Sequence, residues 1–130
     1  MSAEIANAVQ SLLTARRTGR QVPPPFALRD RAQVYAIQDG VAAATGPVVG
    51  WKVGARTPTA EPNPAPLLAG ALVQSPARFD GKAMHMIGVE IEISFHIVQD
   101  IAARAAPVGR DEALGAVGDA FVGMEVVDTR

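Results

Sequence analysis

Between Gly88 and Ile97 the chain reads GVEIEISFHI, a run in which apolar and polar side chains alternate without a break. A period of two is the signature of a strand, whose successive side chains point to opposite faces. Val89, Ile91, Ile93, Phe95 and Ile97 form one apolar face, and Glu90, Glu92, Ser94 and His96 form the other. A strand of this kind needs neighbours to pair with and something to cover its apolar side. Its polar face has two readings. One is an ordinary solvated face. The other is a pair of oxygen ligands aimed at one point, since Cα atoms two apart on a strand lie about 6.6–7 Å from each other and long Glu side chains converge from there.

The rest of the chain has to supply partners for that strand. From about Ala3 to Arg17, Ile5, Val9, Leu12 and Leu13 fall on one face at helical spacing. Ser2 is placed to cap this helix, Arg16 and Arg17 suit its negative end, and Gly19 can stop it. The prolines of QVPPPFALRD make a stiff connector. Asp30 then opens a second helix with Gln33 as capping-box partner, Val34, Ile37 and Val41 as inner stripe, and Gly46 as terminator. From Pro47 the character changes. PVVGWKVGA reads as a strand, ARTPTAEPNPAP with four prolines as a loop, LLAGALVQ as a strand, VGRDEALGAVGDAF as a glycine-weakened helix and GMEVVDTR as a last strand. The expected organisation is a helical segment over 1–46 and a strand-rich segment over 47–130, an α+β class.

A length of 130 residues with 48% hydrophobic content is enough to bury a core without cross-links. The absence of cysteine excludes disulfides, thiolate metal sites and cysteine nucleophiles. A formal charge of -1 gives no electrostatic case for nucleic acid. No apolar run approaches the roughly 18 residues of a membrane span. MSAEIANAVQ lacks the basic-then-apolar order of a secretory signal, so the expected compartment is the cytoplasm. MEVVDTR stops mid-strand, which leads to the expectation of a piece of a longer protein.

Among residues that can carry chemistry, Glu125 is a third carboxylate in an apolar strand. Three oxygens from two strands can hold Mg²⁺ or Mn²⁺, hard ions that take carboxylates at about 2.1 Å. Equally, the three can be solvated or paired with arginines. Lys52, between Gly50 and Gly54 on one strand face, has open space above the backbone for a ligand, with Trp51 and Val53 turned to the core. It can bind a carboxylate or move a proton, or it can be a surface lysine. Ser94 shares the glutamate face, His85 and His96 are too far apart for a helical metal pair, and Asp128 can pair with Arg130. There is no phosphate-binding loop, dinucleotide fingerprint or nucleophile elbow.

ARRTGRQVPPPF, AQVYAIQDGV, VVGWKVGA, VEIEISF and MEVVDTR occur in an order that resembles the 2-keto-4-pentenoate hydratase / 4-oxalocrotonate decarboxylase group of the fumarylacetoacetase-like superfamily. The resemblance spans Ala15 to Arg130, and its most specific part is the E-x-E run followed by E-V-V-x-[S/T]-R. It implies the first half of a mixed, rolled β-sheet behind two packing helices, in proteins about twice this length that are homo-oligomers. It also implies Glu90, Glu92 and Glu125 as ligands of Mg²⁺ or Mn²⁺ and Lys52 as the active-site lysine. The implied activity is a hydro-lyase adding water to a 2-hydroxy-2,4-dienoate or 2-oxo-4-enoate in aromatic catabolism. The alternatives are a 2-oxo acid decarboxylase, an acylpyruvate-type hydrolase, or an inactive truncated fragment. The pattern departs at Leu68, where hydratases of the group carry an aspartate; Glu61 is the nearest candidate substitute.

Overall fold

A computed structural model describes residues 1–24 and 26–129. The order is α1 (Ala3–Thr18), α2 (Arg31–Thr45), β1 (Val48–Gly54), β2 (Asn63–Leu68), β3 (Gly88–Ile97), α3 (Arg110–Gly115) and β4 (Val117–Val127). The class is mixed α+β. The strands form two antiparallel ribbons, β1 with β2 and β3 with β4. The chain divides into Met1–His85 and Met86–Thr129. The boundary expected near residue 46 therefore falls inside the first unit, between α2 and β1.

The first unit is organised by its two long helices. The Ser2 side chain accepts from Ile5 N–H, and Gly19 closes α1 at φ 67, where a side chain would be strained. The Asp30 carboxylate accepts from Gln33 N–H at 2.9 Å, while Gln33 Oε1 accepts from Arg29 N–H at 2.9 Å, one residue before the reciprocal bond of a capping box. Ile5, Ala8 and Val9 of α1 meet Ile37 and Val41 of α2 in the core, with Leu12, Leu13 and Phe26 packed against it. Gly40 permits this approach, because a Cβ there would lie 2.7 Å from Val9 Cγ2. Val34, expected on the inner stripe, is 40% exposed. His85 Nε2 lies 2.6 Å from the Gly19 carbonyl oxygen, tying the end of this unit to the end of α1.

Two strand expectations need correction here. The proline-rich stretch expected to be loop throughout becomes strand β2 from Asn63, and LLAGALVQ gives only its last two residues before a 3₁₀ turn over Ala69–Ala71. The reason is parity. Pro64 and Pro66 face Val53 and Trp51, positions of one alternation, so their missing N–H groups all lie on the side away from β1. The outward Pro64 carbonyl accepts from Gln38 Nε2 at 3.2 Å. Arg31 reinforces the same edge by donating to the Pro62 carbonyl at 2.8 Å and pairing with Glu61 at 3.0 Å. Trp51 and Val53, expected to face a core, are 58% and 63% exposed.

In the second unit the helix expected over VGRDEALGAVGDAF shortens to α3, and β4 begins already at Val117. Gly118 explains the switch. A Cβ there would lie 2.5 Å from Val98 Cγ1, so the glycine lets β4 start close beside the chain leaving β3. Val98 N–H donates to the Ala116 carbonyl at 2.9 Å, and Met86 N–H donates to the Asp128 carboxylate at 2.9 Å, closing the ribbon at both ends. The expected partner of Asp128, Arg130, lies outside the described residues. Arg104 pairs with Glu112 across the connection, which holds the Glu112 carboxyl below the usual carboxylate range and raises the Arg104 guanidinium. The strands of a mixed rolled sheet were expected; among the described residues all pairing is antiparallel and confined to two-stranded ribbons, because each strand pairs only with the next strand in the chain. Among the described residues no helix is long and apolar enough to cross a membrane.

Candidate metal centre

Register decides what the β3–β4 ribbon presents. Glu90 stands directly opposite Glu125, Glu92 opposite Gly123 and Ser94 opposite Phe121. Directly opposed residues share a face, so Glu90, Glu92, Ser94, Phe121, Gly123 and Glu125 all lie on one side. The other side carries Val89, Ile91, Ile93, Phe95, Val122 and Met124, each between 55% and 76% exposed. Alternation has thus set all three glutamates on the face opposite that apolar row.

On the acidic face the three carboxylates converge. Glu90, Glu92 and Glu125 each offer an oxygen within 4.8 Å of the others; Glu90 is exposed, and Glu92 and Glu125 are half-buried. Like charges set directly opposite each other on paired strands repel, a cost that a cation between Glu90 and Glu125 would offset. Oxygens bound at about 2.1 Å to one octahedral ion lie about 3.0 Å apart when adjacent and about 4.2 Å when opposite, so oxygens within 4.8 Å of one another share an ion once the side chains draw together by up to roughly 2 Å. The donor set is carboxylate oxygen only, which suits Mg²⁺ or Mn²⁺ better than softer metals. These residues fit such an ion.

Gly123 is a part of this arrangement that the sequence reading missed. It faces Glu92, and a Cβ there would lie 2.6 Å from Ser94 Oγ. A side chain at 123 would therefore intrude on the glutamate face. The G-x-E spacing before Glu125 is the sequence signal that carries it.

Compared with protein-family models, curated proteins and solved structures, the chain matches none.

Lys52 belongs to the first unit and the glutamates to the second. On β1 it is half-buried and paired with Ala65 of β2. It lines a hollow of about 400 Å³ together with Gly54, Ala55, Arg56, Asn63 and Ala65. The open space expected beside the flanking glycines is present at Gly54, where nothing approaches an added Cβ; at Gly50, Leu67 Cδ1 is already at 3.4 Å. Arg56 and Asn63 also escaped the sequence reading. Asn63 reaches the hollow only because the antiparallel register sets it opposite Gly54. Two cationic side chains on one hollow favour an anionic group there.

The remaining candidates separate. Leu68 ends β2 opposite Val48 and is half-buried, with no acid in its place. Glu61 is held by Arg31 at 3.0 Å. His96 is exposed at the irregularity in the ladder between Phe95 and Ile97.

Proposed function

We propose that this chain belongs to the 2-keto-4-pentenoate hydratase / 4-oxalocrotonate decarboxylase group of the fumarylacetoacetase-like superfamily. In this reading it carries the divalent-cation site of a lyase acting on a small 2-oxo acid or its dienol. The observation that carries the reading is the convergence of the Glu90, Glu92 and Glu125 oxygens within 4.8 Å, at the motif positions where the group has its metal ligands. The order of the five motifs along the sequence supports it. Mg²⁺ or Mn²⁺ bound there would supply a Lewis acid for the oxygens of a 2-oxo acid. Glu90, Glu92 and Glu125 hold and orient that cation, and half-burial of Glu92 and Glu125 limits their rotation. Lys52 acts at its Nζ, binding a substrate carboxylate or moving a proton, and Arg56 adds positive charge beside it.

The 2-oxo acid decarboxylase is the second reading, and the leucine at position 68 favours it. Adding water to an alkene calls for an acid/base partner beside Lys52, and Leu68 stands where that partner is expected while Glu61 is ion-paired with Arg31. Losing CO₂ asks less of that position. Mg²⁺-dependent consumption of 2-hydroxypenta-2,4-dienoate, measured beside CO₂ release from 4-oxalocrotonate, tests both. Turnover of the dienoate that Glu92→Gln abolishes supports the hydratase. CO₂ release without hydration supports the decarboxylase. No metal-dependent turnover of either substrate counts against the proposal.

A further inference from the structure

The first unit contains a half-open apolar cavity of about 410 Å³ bounded by α1, the connector before α2, α2 itself and β2. It owes nothing to the glutamate face, and all its lining lies between Leu12 and Leu68. Of its lining, Ile37 and Val41 are buried, and Leu12, Phe26 and Leu68 are half-buried. Leu28 and Val34 are 52% and 40% exposed, although both contribute to the lining. An apolar body seated there would cover surface that water now wets. The volume falls in the range of small-molecule sites, roughly 300–1,000 Å³, which are mostly apolar with a few fixed polar groups.

Two polar side chains line this cavity. Gln38 is committed through its amide N–H to the Pro64 carbonyl at 3.2 Å. Arg16 differs: among the described residues it has no hydrogen bond or ion pair, although its neighbour Arg17 donates to Thr14. A guanidinium beside an apolar hollow is matched by one planar anion, which it can hold through two parallel hydrogen bonds. A single positive charge does not neutralise a polyphosphate, and an apolar lining penalises a ligand with several charges.

The geometry points to a binding site for a monocarboxylate with an apolar body of medium length, its chain in the cavity and its carboxylate on Arg16. The site is separate in residues and in chemistry from the metal centre, so divalent cations are left out of its test. Decanoate and decanamide, identical but for the charge, are titrated into the whole chain while the methyl signals of Leu12, Val34 and Ile37 are followed by NMR. Saturable one-to-one binding of decanoate is expected, with shifts at those methyls and decanamide binding at least tenfold more weakly. Arg16→Gln, an exposed helix position that tolerates glutamine, removes this preference for the acid. Val34→Glu sets a like charge on the wall and weakens decanoate at least tenfold with helical circular dichroism unchanged. Equal binding of acid and amide, unchanged affinity in Arg16→Gln, or shifts confined to Ile91, Ile93 and Val122 of the ribbon would each overturn the assignment.

Discussion

Ile37 and Val41, on α2, are 8% and 7% exposed; Ile91 and Ile93, on β3, are 69% and 76% exposed. The same residue type is used in opposite ways by the two units. In the first, helical periodicity gathers Ile5, Ala8, Val9, Ile37 and Val41 into one core, and burial supplies the driving force. In the second, Ala116 is the only hydrophobic among the described residues that is buried, and order comes from a long antiparallel ladder. A two-stranded ribbon is marginal in water by itself. The helical pair is therefore stable through what it buries, whereas the ribbon buries little and is held by its ladder.

That contrast can be broken by mutation. Ile37→Ala should cost about 2–5 kcal/mol in urea unfolding followed by helical circular dichroism, as for a buried isoleucine. Ile93→Ala should stay within about 0.5 kcal/mol by the same measurement. Similar losses at both positions would show that the ribbon's apolar face is covered. Gly40→Ala sharpens the helical side. The added methyl would meet Val9 Cγ2 at 2.7 Å, and overpacking of about 1–3 kcal/mol outweighs a helix-propensity gain of about 1. A net destabilisation of up to about 2 kcal/mol should appear, and Val9→Ala in the same chain should relieve it.

The smallest effect concerns Glu112. Its carboxyl titrates below the ordinary range because Arg104 hydrogen-bonds it. The pair's contribution is thus present above the unfolded carboxylate pKa and lost as pH falls through the lowered folded value. The Glu112 side-chain NMR shift should show a depressed midpoint, and Arg104→Gln should return it to the normal range.

Much of this architecture could be read from particular residues. Ser2, Gly19, Asp30 and Gly46 marked both long helices because caps act locally. The alternation over 88–97 marked β3 and put its glutamates on one face. Pro64 and Pro66 hid β2, since proline reads as a breaker unless the pairing parity is known. Gly118 and Gly123 hid the start and the site-facing side of β4, because the value of an absent Cβ depends on what stands opposite. Which faces are covered was not legible at Trp51, Val53 or Ile91. Alternation specifies that two faces differ and leaves open whether anything packs on either.

Mn²⁺ titration followed by electron paramagnetic resonance tests whether Glu90, Glu92 and Glu125 form one cation site. One saturable site per chain, competed by Mg²⁺, is expected. Replacing one charged ligand in Glu92→Gln should weaken it by about tenfold or more, a loss of at least about 1.4 kcal/mol. Glu61→Gln, remote in sequence and paired with Arg31, should bind as the parent does. Weak, unsaturable binding that all three proteins share would contradict the claim and leave the acidic face as a solvated one.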